Sequence, residues 1–531
     1  MQWNSPPGVD DTQVPPADGT PTQVHLTWGD DPASAVVVSW ATAARAVNPR
    51  VIARSVAASE RIIHARERTY TDALNGERVF TYHASLEGLA PDSICHYAVT
   101  ADNDRNHRRP FSASFRTAPR GRAPFRFTSF GDLATPVTAW ALSSPQSRYA
   151  VQAVESFQPL FHLLNGDLCY ANMNPTAQPA VWADFGSSTQ VSAAFRPWMP
   201  CPGNHEIEFG NGAQGFDAYL TRYSLPHNGT PFPGLWYRFR VGSALFISLS
   251  ADDVIYQDSG AFVPGPAPLR PRPQTRFAAI DPGTSFYIRG YSGGAQTRWL
   301  EETLSAASRD DGIDWIIVQI HQDAMSSSTH GNGCDLGIRE SWLPLFDRHG
   351  VDLVLCGHDH DYERSWPVRG CNHDAGRDAV TGRIVDTHQP KPVMTAPAAD
   401  GTFDTSLGTV HLILGGGGSS SPLDAYGVNR SNGLPQAKVI TRTNRPVRAG
   451  VLGSFLRPGA DALEDAIWSA RRDTSSGYGI AVFDLDPGVP GGKTSITMRY
   501  YHAPGADSRP TPHYELFDTV VLAKARRDPP N

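Results

Sequence analysis

The chain has 531 residues and a formal net charge of −7, with no long run of Lys or Arg. This length exceeds one ordinary domain and allows ~3 domains of ~150 residues, or a large enzyme domain with a small companion. Such a charge balance cannot neutralise a phosphate backbone, which argues against non-specific nucleic-acid binding, and no apolar run reaches the ~20 residues that span a bilayer.

Small phosphorylated substrates remain compatible, because bound cations would dominate the local field. Residues 1–22 are rich in Pro, Asp and Gln and contain no apolar leader stretch. The chain therefore reads either as cytoplasmic or as an exported enzyme whose signal peptide has been removed. Six sparse cysteines (Cys95, Cys169, Cys201, Cys334, Cys356, Cys371) fit a few disulfides or none. Cys169 and Cys201 both sit beside the motifs described below, as a pair in contact or as two buried thiols.

From 23 to 119 the residues read as short β-strands. Val24-His25-Leu26-Thr27-Trp28 alternates in polarity, residues 35–40 are β-branched and end in Trp40, and 94–99 and 111–115 continue the texture. Turn residues separate the strands without a helical period, which predicts a β-sandwich. The run 86–93 resembles the corner of a fibronectin type III domain, a spacer or interaction module.

After a Pro/Arg/Gly linker at 116–124, strand-like apolar runs alternate with helical patterns such as 148–157 and 296–307. That alternation predicts an α/β domain over 125–524. Further strands are expected at 237–240, 244–249, 409–414, 479–485, 494–501 and 515–523. The Pro/Gly-rich or polar tracts 256–284 and 371–405 read as loops or lids. Gly415 to Gly418 lacks the Lys-Ser/Thr of a phosphate-binding loop and reads as a flexible turn at a strand end.

Five apolar runs in this region end in chemistry-bearing residues. They are Gly131-Asp132, Gly166-Asp167-Leu168-Cys169-Tyr170, Gly203-Asn204-His205-Glu206, His321 after residues 315–320, and Gly357-His358-Asp359-His360. Singly each has a plain structural explanation: a Gly-Asp turn, a helix cap, a satisfied polar histidine. Open α/β sheets, however, place ligands beyond the carboxyl ends of their strands. Carboxylate, amide, imidazole and phenolate together describe a hard-to-borderline metal centre. Asp132, Asp167, Tyr170, Asn204, His321, His358 and His360 are too many for one tetrahedral ion and suit two ions sharing a carboxylate, a clamp for phosphoester hydrolysis.

This ordered set resembles the five metal-binding motifs of the purple acid phosphatases, members of the calcineurin-like metallophosphoesterases, and the front sandwich resembles their plant-type architecture. The resemblance implies a two-sheet sandwich flanked by helices. It implies Fe(III) held by Asp132, Tyr170 and His360, and a divalent Fe, Zn or Mn held by Asn204, His321 and His358, with Asp167 bridging. The activity implied is acid hydrolysis of phosphomonoesters by a hydroxide on the metal pair, in a secreted or periplasmic enzyme. His205 would orient substrate or nucleophile, and Tyr170 would give the ferric ion its colour. His330 is read either as a substrate-binding histidine or general acid, or as a surface residue in the polar run 326–331. Two departures stand out: Ala134 occupies the position of the second glycine in the first motif, and His330 is followed by Gly331 where the plant enzymes carry a histidine pair.

Two rival readings follow from the same residues. One is a phosphodiesterase or promiscuous phosphotriesterase on the same centre. The other is a surface binding protein in which the front sandwich carries the function and the metal site is vestigial. Other enzyme classes find no support in a G-x-S-x-G elbow with triad partners, a P-loop or an H-E-x-x-H helix. The sequence leaves the oligomeric state open.

Overall fold

Alternating polarity in residues 23–119 reflects strands that turn one face to a second sheet. In the computed structural model, Thr22–Trp28, Val36–Thr42, Arg78–Leu86 and Arg66–Thr71 form one four-stranded sheet, in that spatial order. Ala58–His64, Arg50–Ser55, Ile94–Thr100 and Phe111–Arg116 form the other. Val24, Leu26, Trp28, Val36 and Val38 are fully buried. The structure describes residues 19–55, 58–208, 210–256, 261–264, 285–288, 290–329, 331–370, 386–419, 426–442, 460–503 and 514–528. Residues 1–18, most of the tract 256–284, residues 371–385 with Cys371, and His330 lie outside them.

The second region is built on two seven-stranded sheets, with helices alongside. The first runs Trp198–Cys201, Phe161–Asn165, Phe125–Phe130, Gly479–Asp486, Lys493–His502, Glu515–Ala525, Thr402–Asp404. The second runs Tyr237–Val241, Ala244–Ser248, Trp315–Gln319, Leu353–Cys356, Val410–Leu414, Tyr362–Ser365, Ser469–Arg472. Phe125–Phe130, Phe161–Asn165 and Trp198–Cys201 are mutually parallel, as are Ala244–Ser248, Trp315–Gln319, Leu353–Cys356 and Val410–Leu414. Their near-continuous apolar sequences follow from burial on both faces. Phe127 marks where the sheets meet: its ring stacks on Phe483 of its own sheet at 4.5 Å and meets Phe246 of the other edge-on at 5.2 Å. This is the expected α/β domain of two sheets with helices alongside, preceded by an all-β domain.

The tract 371–405 is not wholly loop. Thr402–Asp404 adds a parallel edge strand beside Glu515–Ala525, and Lys391–Pro392 pairs with Val368–Arg369. Periodicity also missed the helix Gln178–Ala193, whose apolar residues are not gathered on one face. The reason lies in its position: the helix packs against the front domain's strand Thr22–Trp28 on one side and the helix Gln146–Phe157 on another. Val24 N donates to Gln190 Oε1 at 2.7 Å, Tyr97 Oη to Ala194 O at 2.7 Å, and Arg68 Nη1 to Leu220 O and Tyr223 O at 3.0 Å each. The front sandwich is thus joined to the second region by buried polar and apolar contacts. Cutting at Phe125 would expose both surfaces, so that deletion does not isolate an accessory module cleanly.

Candidate metal centre

All five motifs occupy the carboxyl ends of parallel strands. Asp132 follows Phe125–Phe130, Asp167 and Tyr170 follow Phe161–Asn165, and Asn204 with His205 follows Trp198–Cys201, all in the first sheet. His321 follows Trp315–Gln319, and His358 with His360 follows Leu353–Cys356, in the second. The site therefore straddles the mouth between the two sheets. Non-glycine residues there adopt positive φ: Asp132 at 58°, Asp167 at 49°, Tyr170 at 59° and His358 at 70°. Left-handed backbone in ordinary residues costs about 1–2 kcal/mol each, so the surrounding structure holds these turns in place. Ala134 also takes φ 60°, which explains why a glycine is expected there: the turn is kept, with a strained alanine.

Six of the seven expected ligands fall into two groups. Tyr170 Oη lies 3.0 Å from Asp132 Oδ1 and 2.9 Å from His360 Nε2, and His360 Nε2 lies 3.3 Å from Asp132 Oδ1. In the other group, ligand atoms of Asp167, His321 and His358 all lie within 4.8 Å of one another. Asp167 Oδ2 is 3.1 Å from His321 Nε2, which is 3.2 Å from His358 Nδ1. His358 N donates to Asp132 Oδ2 at 2.9 Å, tying the groups together. Asn204 is placed by its neighbour, since His205 N donates to Asp167 Oδ1 at 2.8 Å.

Neighbouring residues hold these side chains in place. Glu206, fully buried, accepts from Asp167 N, Leu168 N and Gly203 N, each at 2.8 Å. Asn165 O accepts from His321 Nδ1 at 2.7 Å, leaving Nε2 to face the cluster. Asn172 Oδ1 contacts His205 Nδ1 at 2.8 Å. Gly203 permits close approach: a Cβ there would meet Asp167 Oδ1 and come 2.5 Å from Asp167 N. The run Gly415 to Gly418 is a close approach as well as a turn, with Gly418 N and Ser419 N donating to Asp132 O at 3.0 and 2.9 Å. Gly290 to Gly294 fits G-x-S-x-G, but Ser292 Oγ donates to Asp253 Oδ2 at 2.6 Å just before the helix Ala295–Ala307.

Burial opposes charge on each ligand, so neighbours decide the outcome. It pushes Asp167 up, yet the imidazoles of His321, His205 and His358 outweigh it and hold the carboxyl below its ordinary range. Burial lowers His321, but Asp167 and Asp132 raise it to about 10. Burial raises Asp132, and it drives the Tyr170 phenol well above its usual value with help from both carboxylates. His358 is pushed well below the imidazole range by burial and by His321.

This donor set fits a metal pair. Asn204 Oδ1 is buried with no hydrogen-bond partner, an acceptor left available to a cation. Two carboxylates concentrate negative charge where positive charge is favoured, and carboxylate, amide, imidazole and phenol oxygen suit hard-to-borderline metals. No helix among the described residues is long and apolar enough to cross a membrane. The five described cysteines, Cys169 and Cys201 included, are free and buried.

Comparison with known proteins adds the lineage. Residues 21–117 match the family described as purple acid phosphatase, N-terminal domain, and residues 125–362 match calcineurin-like phosphoesterase. An uncharacterized protein of Mycobacterium tuberculosis is 40% identical over 97% of this chain and 88% of its own length. The Fe(3+)-Zn(2+) purple acid phosphatase 12 of Arabidopsis thaliana is 27% identical, covering 66% of each chain. A purple acid phosphatase from yellow lupin seeds shares the fold, with a TM-score of 0.62 at 17% identity over 95% of this chain and 74% of that one. The chain belongs to the purple acid phosphatase family of calcineurin-like phosphoesterases and is a metal-dependent phosphoester hydrolase.

Proposed function

We propose that this chain hydrolyses small phosphomonoesters at a mixed-valence pair, Fe(III) held by Asp132, Tyr170 and His360 and a divalent Fe, Zn or Mn held by Asn204, His321 and His358. Asp167 is the shared ligand. The observation that carries the reading is the gathering of six side chains into two groups, Asp132 with Tyr170 and His360, and Asp167 with His321 and His358, tied by His358 N donating to Asp132 Oδ2.

Bound there, two cations would neutralise phosphoryl oxygens and lower the pKa of a water molecule. The chain's own residues supply position and proton control. His321 Nδ1 donates to Asn165 O, which directs its Nε2 to the cluster. His205 Nε2 lies 3.9 Å from Asp167 Oδ2, where it can meet an ester oxygen or a water at the same carboxylate. Burial is the first cause of the depressed basicity of His205. The family supports a secreted or periplasmic setting.

Elemental analysis joined to a visible spectrum tests the centre, with two transition ions per chain and a visible band in the oxidised protein expected. Fewer than two ions and no band would refute it. Turnover of mono-, di- and triesters tests the substrate class, and a strong preference for diesters would replace the monoester assignment.

A further inference from the structure

The loop between the strand Trp198–Cys201 and the short helix Asp217–Arg222 carries Asn204 and His205 near its start. Its later part reaches the front domain, at the turn that joins the strands Arg66–Thr71 and Arg78–Leu86. Gly210, with φ 76°, passes so close to that turn that a Cβ would stand 2.6 Å from Ala73 Cβ.

Asn211 fastens the contact. It is 2% exposed, and its amide is fully engaged. Its Oδ1 accepts from Ala73 N at 2.8 Å, and its Nδ2 donates to Asp72 Oδ2 at 3.0 Å and to Glu208 Oε2 at 2.6 Å. Asp72 and Glu208 are buried as well. Two interior acids, one from each domain, thus share one amide that can give a hydrogen to each.

Both acids are fixed on their other side. Asp72 Oδ1 accepts from Leu74 N and Asn75 N at 3.1 and 2.9 Å, which shapes the front domain's turn and leaves Oδ2 to cross the junction. Glu208 Oε1 accepts from Trp182 Nε1 at 2.6 Å, in the helix Gln178–Ala193. Glu208 stands two residues beyond Glu206, which holds the backbone of Asp167 and Leu168. Between them Ile207 O accepts from Asn172 Nδ2 at 3.1 Å, and Asn172 Oδ1 meets His205 Nδ1. The chain from His205 to Asn211 is therefore pinned at successive residues, and its last pin is the front domain. Reacting groups misplaced by about 1 Å can lose about 100-fold in rate, so a brace of this kind bears on the chemistry.

We propose that Asn211 is a positioning residue for ester hydrolysis, through which the front domain's turn 72–77 holds the loop of Asn204 and His205 in register with the metal ligands. The inference rests on the reading of Asn204 as a ligand of the divalent ion. It gives the front sandwich a part in the reaction that a spacer does not have. Asp132, Tyr170 and His360, the ferric ligands of that reading, lie on other loops and are not braced by Asn211.

Asn211→Leu keeps the branched outline and removes both hydrogens and the acceptor. In the metal-loaded full chain, kcat for p-nitrophenyl phosphate should fall by about 10- to 100-fold with KM little changed, and zinc should pass to a chelator at least about tenfold faster. Iron content and the visible band of the oxidised protein should stay at the wild-type value. Asp72→Asn acts from the front domain alone, setting amide hydrogens against those of Asn211. It should give the same pattern more weakly, and it decides the matter if Asn211→Leu does not fold. A lower melting temperature with wild-type kcat and zinc release would overturn the proposal and leave Asn211 a packing contact; iron lost together with zinc would overturn it too. A wild type with fewer than two ions would refute the metal pair instead, and the kcat of the two variants would still decide on Asn211.

Discussion

His205 Nδ1 and Asn172 Oδ1 lie 2.8 Å apart, and that contact decides which ring nitrogen faces Asp167. Asn172 spends its amide hydrogen on Ile207 O at 3.1 Å, so its oxygen turns to the imidazole and must accept. His205 Nδ1 therefore carries the hydrogen, and Nε2 presents its lone pair on the side of Asp167. Replacing Asn172 by Leu should lower kcat/KM by about 10- to 100-fold with metal content intact, in line with other outer-shell losses. Asn172→Asp, which keeps an acceptor, should recover most of it. Steady-state kinetics with parallel elemental analysis decides: loss of metal in place of rate would assign Asn172 to the scaffold.

Tyr170→Phe removes the phenol oxygen that lies within 3.0 Å of Asp132 and His360. The ring remains to fill its buried place. The oxidised, metal-loaded variant should lose its visible band while circular dichroism and melting temperature stay near wild type. A retained band would remove Tyr170 from the ligand set.

Gly203→Ala should weaken the centre from beneath. The new methyl meets Asp167 Oδ1 and N and approaches His321 Cδ2 at 2.8 Å, so either the backbone or the shared carboxylate must shift. We expect retained folding, a destabilisation of about 1–3 kcal/mol as for other overpacked sites, and reduced metal occupancy. Full occupancy measured by elemental analysis would show that the turn yields without moving Asp167.

Lys524 and Asp352 tie the two sheets together. Lys524 Nζ lies 2.6 and 2.7 Å from the two Asp352 oxygens, with side-chain exposures of 8 and 1%. Lys524 sits in the strand Glu515–Ala525 of the first sheet, and Asp352 immediately precedes Leu353–Cys356 of the second. Lys524→Met leaves Asp352 charged, buried and unpaired by its cation, at a cost of about 3–5 kcal/mol. Denaturant unfolding should show that loss, and a change below about 1 kcal/mol would mean that the hydrogen bonds from Ile316 N and Thr405 Oγ1 suffice to hold Asp352.

His83 makes the domain junction acid-sensitive. Burial first, then Arg68 and His25, lowers its pKa from 6.5 to about 3, and its Nε2 contacts Thr221 O at 3.0 Å. The folded state resists a proton that the unfolded chain accepts. The stability is fully present above pH 6.5 and is lost as pH falls from 6.5 towards 3; at pH 5 the loss from this group is about 2 kcal/mol. His25 is shifted in the same direction, again by burial first. His83→Gln should flatten the fall in melting temperature between pH 7 and pH 5, and an unchanged slope would place the acid-labile group elsewhere.

Much of the centre was legible before any fold was known, because its signals are local. A strand that ends in glycine and then Asp, Asn or His announces itself in the residues, and five such ends in order define the donor types. The all-β texture of 23–119 and the alternation after 125 are local for the same reason. Other features are pairings between distant segments and leave no periodic trace. Asn165 aiming His321 required the two sheets to close on one another, and Glu206 accepting from Asp167, Leu168 and Gly203 required neighbouring strands of the first sheet to align. The helix Gln178–Ala193 escaped notice because neighbours on more than one side remove the apolar stripe that a solvent-facing helix keeps. Local chain chemistry alone determined what could bind metal; packing decided which oxygen or nitrogen of each group faces it, since orientation is set by partners far away along the chain.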